Sequence, residues 1–198
     1  MPPTRHRSAS SPPRRRADAE RSVARILDAA VEALASDPEA SMAEIARRAG
    51  VVRATIYVHF PTREALIAAI TQRALAEVTA AIEAADPSRG EPAEALQRVV
   101  AAAWRALGRF HALVEINTRL PHSEQHDLHQ PVLAVFLPLI ERGQRDGSFR
   151  ADVPVSWHLT MLLAIVHAAT GELAAGRVAA DAVESALQRT VLGALASV

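Results

Sequence analysis

The chain has 198 residues, of which 49% are apolar and 4% aromatic, with 22 basic side chains, 22 acidic ones, eight histidines and no cysteine. That length holds one large or two small domains with a sizeable core. The missing cysteines exclude disulfides and thiolate metal sites, and no apolar stretch follows the N-terminal charges as a signal peptide requires. The zero net charge hides an asymmetry: 11 arginines stand against 7 acids up to Arg63, and 11 against 15 acids from Glu64 onward, so a polyanion is expected at the front of the chain only.

Residues 1–17 open with "MPPTRHRSASSPPRRR", rich in Pro, Ser and Arg and free of acids, which reads as a disordered basic tail. From about Asp18 the pattern turns helical. Val23, Ile26, Leu27, Ala30, Val31 and Leu34 make one continuous face, and Asp37-Pro38 ends the helix. Ser41 and Glu44 form a capping-box pattern. The short helix they start buries Met42, Ile45, Ala46 and Ala49 and stops at Gly50. A third helix follows within two or three residues, with Val52, Ile56 and Phe60 on its inner face and Pro61 at its end. Thr62 caps a fourth, running to about Ala85. "DPSRGEP" at 86–92 is the clearest internal break. Five more helices follow near 92–107, 110–119, 126–145, 154–176 and 179–197, with Pro138 a possible kink point. No apolar run reaches about 18 residues, which speaks against a membrane span and makes the cytoplasm the expected compartment. The fold class expected is all-α, with an N-terminal helix-turn-helix headpiece and a C-terminal helical domain.

Two short helices joined by a tight glycine turn are the helix-turn-helix arrangement, whose second helix enters the major groove. With Val52, Ile56 and Phe60 turned inward, helical spacing leaves Arg53, Ala54, Tyr57 and Val58 on the outer side and Thr55 and His59 on a flank. Arginine reads guanine bidentately and alanine touches a thymine methyl, while Thr, Tyr and His donate to phosphates. The cluster thus makes sense as a DNA-facing surface, against the plainer reading of a helical bundle with a wet face.

"SMAEIARRAGVVRATIYVHFPTREALIAAI" resembles the DNA-binding region of TetR-family transcriptional regulators. The resemblance is carried by Ile45-Ala46, Ala49-Gly50-Val51, Thr55-Ile56-Tyr57, His59-Phe60 and Arg63-Glu64-x-Leu66, and its motif covers about residues 22–72. It implies a ligand-responsive repressor. Residues 18–66 would be the DNA-binding domain and 67–198 a ligand-binding and dimerisation domain. Ser41 would cap the second helix and approach a phosphate. Arg53 and Ala54 would meet bases, while Thr55, Tyr57 and His59 would bind the backbone. Arg63 replaces a common lysine at the start of the fourth helix, where dipole and cation both favour phosphate. Val52 departs from the family, which often has a capping serine there, at a cost of about 1 kcal/mol. The partners implied are a double-stranded DNA operator, a small-molecule effector and a second copy of the chain paired through the last two helices. Ala164, Ala168, Gly171 and Ala175, then Ala182, Ala186 and Gly193, are small-residue stripes that suit such pairing. Arg5, Arg7, Arg14, Arg15 and Arg16 of the tail could follow the minor groove.

A ligand pocket is mostly apolar with a few placed polar groups. The candidates are Trp104, Phe110, His111, Glu115, Asn117, Phe136, Trp157 and Met161, together with His167. Glu115 and Asn117 are the best hints, because a carboxylate buried in an apolar stretch needs a partner. No cofactor is expected. The rival reading is a metal-binding helical protein or an enzyme built on His122, His126 and His129, with Asp127 beside them, at spacings of one helical turn. No nucleophile–base pattern and no phosphate loop accompanies that cluster, and no enzymatic activity is expected. A pure helical scaffold would leave the Thr-Tyr-x-His-Phe run unexplained.

Overall fold

The computed structural model describes residues 12–117 and 121–197, apart from the side chains of 12–16, 122 and 123. They form two compact units, 1–69 and 70–198, and the described residues contain helices and no strand. The first unit holds α1 (Pro12–Ser36), α2 (Met42–Arg48), α3 (Arg53–His59) and the start of α4 (Arg63–Ala84). The second holds the rest of α4, then α5 (Pro92–Leu107), a 3₁₀ turn (Gly108–Phe110), α6 (His111–Asn117), α7 (His122–Arg145), α8 (Val155–Ala174) and α9 (Ala180–Leu195).

The first helix begins at Pro12, inside the segment that the sequence suggests is a basic tail. The remainder of that tail, with Arg5 and Arg7, lies outside the described residues. Ile26, Leu27, Ala30, Val31 and Leu34 are buried as their spacing requires, alongside Met42, Ile45, Ala46, Ala49, Ile56, Phe60 and Leu66. Each fully buried Ile or Leu contributes about 1.5–3 kcal/mol. Ser41 Oγ accepts the Glu44 N–H at 3.2 Å, which is one half of the capping box. The other half is absent: the Glu44 carboxylate accepts from Arg47 Nε at 2.9 Å and Arg48 Nε at 2.8 Å instead. These arginines, Arg47 foremost, hold its pKa down at about 2.

Gly50 ends α2 at φ +65°, a region only glycine enters freely. The Val51 N–H reaches Ala46 O at 3.0 Å and the Gly50 N–H reaches Arg47 O at 3.2 Å, completing a Schellman motif that turns the chain into α3. Val52 is a correction. It is 70% exposed, not part of the inner face of α3. It occupies the N-cap with φ −71° and ψ 150°, so helical spacing does not govern where its side chain goes.

Thr62 Oγ1 accepts the Ala65 N–H at 3.1 Å and caps α4. This helix, contrary to the sequence expectation, is long and apolar enough to cross a membrane by length and composition. Much of that apolarity is alanine. Leu66, Ile70, Ala74, Val78 and Ile82 are its buried stripe, with Arg73 and Glu77 paired at 3.0 Å beside it, the pattern of an amphipathic core helix.

In the second unit Ile82, Leu96, Val99, Phe136, Leu139, Ile140, Phe149, Leu162, Leu187 and Val191 share one core. Two arginines fasten the α4–α5 loop by its carbonyls. Arg98 Nη2 donates to Arg89 O at 2.7 Å, and Arg142 Nη1 donates to Gly90 O at 2.7 Å. Phe149 packs closely on Gly143, where a Cβ would lie 2.0 Å from its Cδ2. The Arg150 N–H then reaches Leu195 O at 2.9 Å and fixes the α7–α8 loop on the end of α9. α7 starts at His122, four residues before its expected start, and continues through Pro131 and Pro138.

Candidate nucleic-acid interface and internal cavity

On α3, Arg53, Ala54, Tyr57 and Val58 are exposed, Thr55 and His59 half-buried, and Ile56 fully buried. Burying Ile56 against α2 fixes the helix's rotation, and the 3.6-residue period then puts those four side chains outward. Val58 is 78% exposed, an unusual position for a β-branched residue in a short helix. The Arg53 guanidinium lies over the Tyr57 ring at 5.6 Å, a cation–π contact that orders it before any partner arrives. The outer face thus offers one guanidinium, one phenol, a hydroxyl and an imidazole around two small apolar surfaces.

Arg63, for which the resemblance implies a phosphate contact, has partners within the chain. Its two terminal nitrogens donate to Ala40 O and Pro38 O. The guanidinium fork therefore spans the loop that delivers Ser41 to its capping position. Ser41 itself is exposed.

The second unit encloses a cavity of about 80 Å³ lined by Leu75 and Val78 of α4, Val100, Trp104 and Leu107 of α5, and Val114 of α6. His129, Val132, Leu133 and Phe136 of α7 and Leu162, Leu163, Val166 and His167 of α8 complete the wall. The lining is apolar apart from the two imidazoles and the indole N–H of Trp104. His129 Nδ1 lies 2.7 Å from Gln125 O; a carbonyl only accepts, so Nδ1 carries the hydrogen and Nε2 is left as an acceptor in the neutral ring. The two rings meet edge to face at 5.2 Å. Burial, helped by the charge of His129, pushes His167 down to about 4. Burial also lowers His129, against its bond to Gln125 and with the charge of His126 adding to the effect.

A second, more open hollow of about 350 Å³ shares Val114 and His167 with the cavity and adds His111, Glu115, Thr170, Gly171, Ala174 and Ala175. His111 meets the Trp104 ring at 5.1 Å in a tilted arrangement, its Nε2 is buried without a partner, and burial lowers its pKa.

Of the residues proposed for a ligand from the sequence, Trp104, Phe136 and His167 line the cavity, and His111 and Glu115 line the hollow. Glu115 is exposed, so no buried carboxylate exists there. Asn117 Nδ2 donates to Thr71 Oγ1 at 3.1 Å and ties α6 to α4. Phe110 is core, under the Arg109 guanidinium at 4.6 Å. Trp157 is 55% exposed and, like Met161, lines neither space. Sequence reasoning passed over Leu75, Val132, Leu133, Leu163 and Val166, which look like any other core aliphatic. His129 was noticed only as a metal candidate.

The histidine cluster does not converge. His126 Nε2 is 2.6 Å from Gln130 Nε2, and His129 turns to Gln125 and His167. The side chain of His122 lies outside the described residues. Among the described residues no three His, Asp or Glu side chains come together as a metal site.

An exposed short helix on a glycine turn, followed by a separate helical unit with an apolar cavity, is the arrangement of a helix-turn-helix regulator. Residues 26–70 match the family described as bacterial regulatory proteins, tetR family. The chain is 32% identical over 154 residues to the HTH-type transcriptional repressor LfrR of Mycolicibacterium smegmatis, covering 75% of this chain and 77% of LfrR. It is 28% identical over 163 residues to the HTH-type transcriptional regulator NfxB of Pseudomonas aeruginosa, covering 79% of this chain and 85% of NfxB. The crystal structure of LfrR in complex with proflavine superposes with a TM-score of 0.67 over 90% of this chain and 98% of that one, at 24% identity. FadR of Bacillus subtilis in complex with stearoyl-CoA shares the fold at a TM-score of 0.70, 21% identity, 87% of this chain and 97% of that one. The chain belongs to the TetR family of DNA-binding transcriptional regulators.

Proposed function

We propose that the chain is a repressor which binds a two-fold symmetric DNA operator as a homodimer and releases it when a small molecule enters the second unit. The observation that carries this reading is the outer face of α3, where Arg53, Ala54, Tyr57 and Val58 stand exposed on a helix fixed by buried Ile56. Arg53 suits guanine in the major groove, and Ala54 and Val58 suit thymine methyls. Thr55, Tyr57 and His59 suit phosphates, and the exposed Ser41 at the start of α2 suits another. Arg63 acts as a positioning residue for the Ser41 loop.

The reading of a ligand-controlled repressor is supported by LfrR, a repressor by name whose structure holds proflavine, and by the apolar cavity in this chain. α4 carries Arg63 at its start and Leu75 and Val78 on the cavity wall. A homodimer is supported by the outer faces of the last two helices. Ala164, Ala168, Gly171 and Ala175 on or just after α8, and Ala182 and Gly193 on α9, are exposed, with open space over both glycines. Small residues of this kind let helices from two subunits approach closely.

The test is selection of bound sequences from random duplexes by the full chain. Enrichment of two inverted half-sites about one helical turn apart is expected. Recovery of unenriched sequence overturns the proposal.

A further inference from the structure

The cavity selects its occupant by what its wall leaves out. It has no carboxylate and no guanidinium, so a buried ammonium or carboxylate would go uncompensated there. Its polar equipment is two imidazoles and the indole N–H of Trp104. His129 has committed its Nδ1–H to Gln125 O at 2.7 Å, and among the described residues no hydrogen bond reaches its Nε2. A wall residue with one free lone pair asks for one donor. Volume sets a further limit. About 80 Å³ is less than the roughly 150 Å³ of an apolar cavity that admits benzene, so a guest of one ring already has to shift side chains or extend past Val114 and His167 into the adjoining hollow.

We propose that the occupant of this cavity is a compact, uncharged, mainly apolar molecule with a single hydroxyl or N–H donor, which it gives to Nε2 of His129. The inference rests on reading the second unit as the effector-binding part, and it separates this chain's chemistry from that of a relative crystallised with proflavine. The ionisable groups around the pair are His126 on α7 and, across the hollow, His111 and Glu115 on α6. Glu115 is exposed and outside the cavity wall, so it offers a cation no counter-charge inside. His167 meets His129 through its ring rather than by a hydrogen bond, so it does not occupy the Nε2 acceptor of His129.

The experiment uses the full chain carrying Trp157→Phe, so that Trp104 on the cavity wall is the only tryptophan. Four probes of similar size are titrated at pH 7.5 by fluorescence: para-cresol, 4-methylanisole, 4-methylbenzylammonium and para-toluate. Saturable binding of para-cresol is expected, about 3- to 10-fold tighter than the methyl ether, the worth of one hydrogen bond. The two ions are expected to bind at least about tenfold more weakly than para-cresol. His129→Leu should erase the cresol-to-ether ratio while leaving the ether's affinity within about twofold. His129→Phe, which keeps a ring against His167, repeats the comparison if the leucine variant does not fold. Equal or tighter binding of either ion, a ratio that survives loss of His129, or saturable binding of none of the four overturns the proposal. No DNA is present, so such a result leaves the operator-binding reading standing, and a failed operator selection leaves this one standing.

Discussion

Replacing Val52 by serine should stabilise α3. α2 starts at Ser41 with φ −78° and ψ 157°, and its Oγ accepts the Glu44 N–H at 3.2 Å. α3 starts at Val52 with nearly the same backbone, φ −71° and ψ 150°, and has no side-chain cap. Val52 is 70% exposed, so little burial is lost with it. A cap of this kind is worth about 0.5–2 kcal/mol. The Thr55 N–H already donates to Val52 O at 2.9 Å, so a serine hydroxyl must share that donor or take the Ala54 N–H. The gain therefore belongs in the lower half, about 0.5–1 kcal/mol. Expressed as local opening, this slows amide exchange at Ala54 and Thr55 roughly two- to fivefold. Exchange followed by NMR on the full chain reads it directly, and Ser41→Ala is the reciprocal control at Glu44. Unchanged or faster exchange at both amides of Val52→Ser would refute the view that the N-terminus of α3 lacks only a cap.

Arg53→Ala should relax base preference at one position per half-site and cost about 1–3 kcal/mol there, read by repeating the duplex selection; an unchanged motif contradicts the base-reading role. Arg63→Lys should lower stability by about 0.5–1.5 kcal/mol, because one ammonium cannot span Pro38 O and Ala40 O as a guanidinium fork does, and a denaturant midpoint equal to that of the parent chain contradicts it. The third concerns pH. His167 is held at about 4 against roughly 6.5 in an unfolded chain, so between these values the unfolded state binds more protons. Stability from this group is full above about pH 6.5, drains as pH falls towards 4 and is level below that. Melting midpoints should fall across that window, and more shallowly in His167→Phe; identical slopes in the two chains contradict it.

The headpiece was legible because its local signals agree with one another. The face through Ile26, Ala30 and Leu34, the cap at Ser41, the stop at Gly50 and the cap at Thr62 each specify an element without help from distant contacts. Val52 was misread because periodicity was extended one residue beyond the helix. The bonds of Arg63 were not legible because an arginine at a helix start suggests phosphate equally well whether or not it is already engaged, and its carbonyl partners lie 23 and 25 residues away. The cavity was harder. Aromatic residues attract attention, yet Phe110 fills core and Trp157 faces out, while the wall is mainly valine and leucine from four helices and a turn of α4. Nothing in the local sequence distinguishes Leu163 or Val166 from aliphatics that pack tightly. The role of His129 depends on His167, 38 positions along and on another helix, which no spacing rule connects.

The central claim is that the exposed face of α3 reads DNA sequence. The measurement that tests it most directly is the affinity of the full chain for its selected duplex relative to a scrambled duplex of equal length and composition, both at physiological salt. Specific readout predicts a ratio of at least about 10³, reduced by substitution at Arg53. A ratio near one would contradict the account.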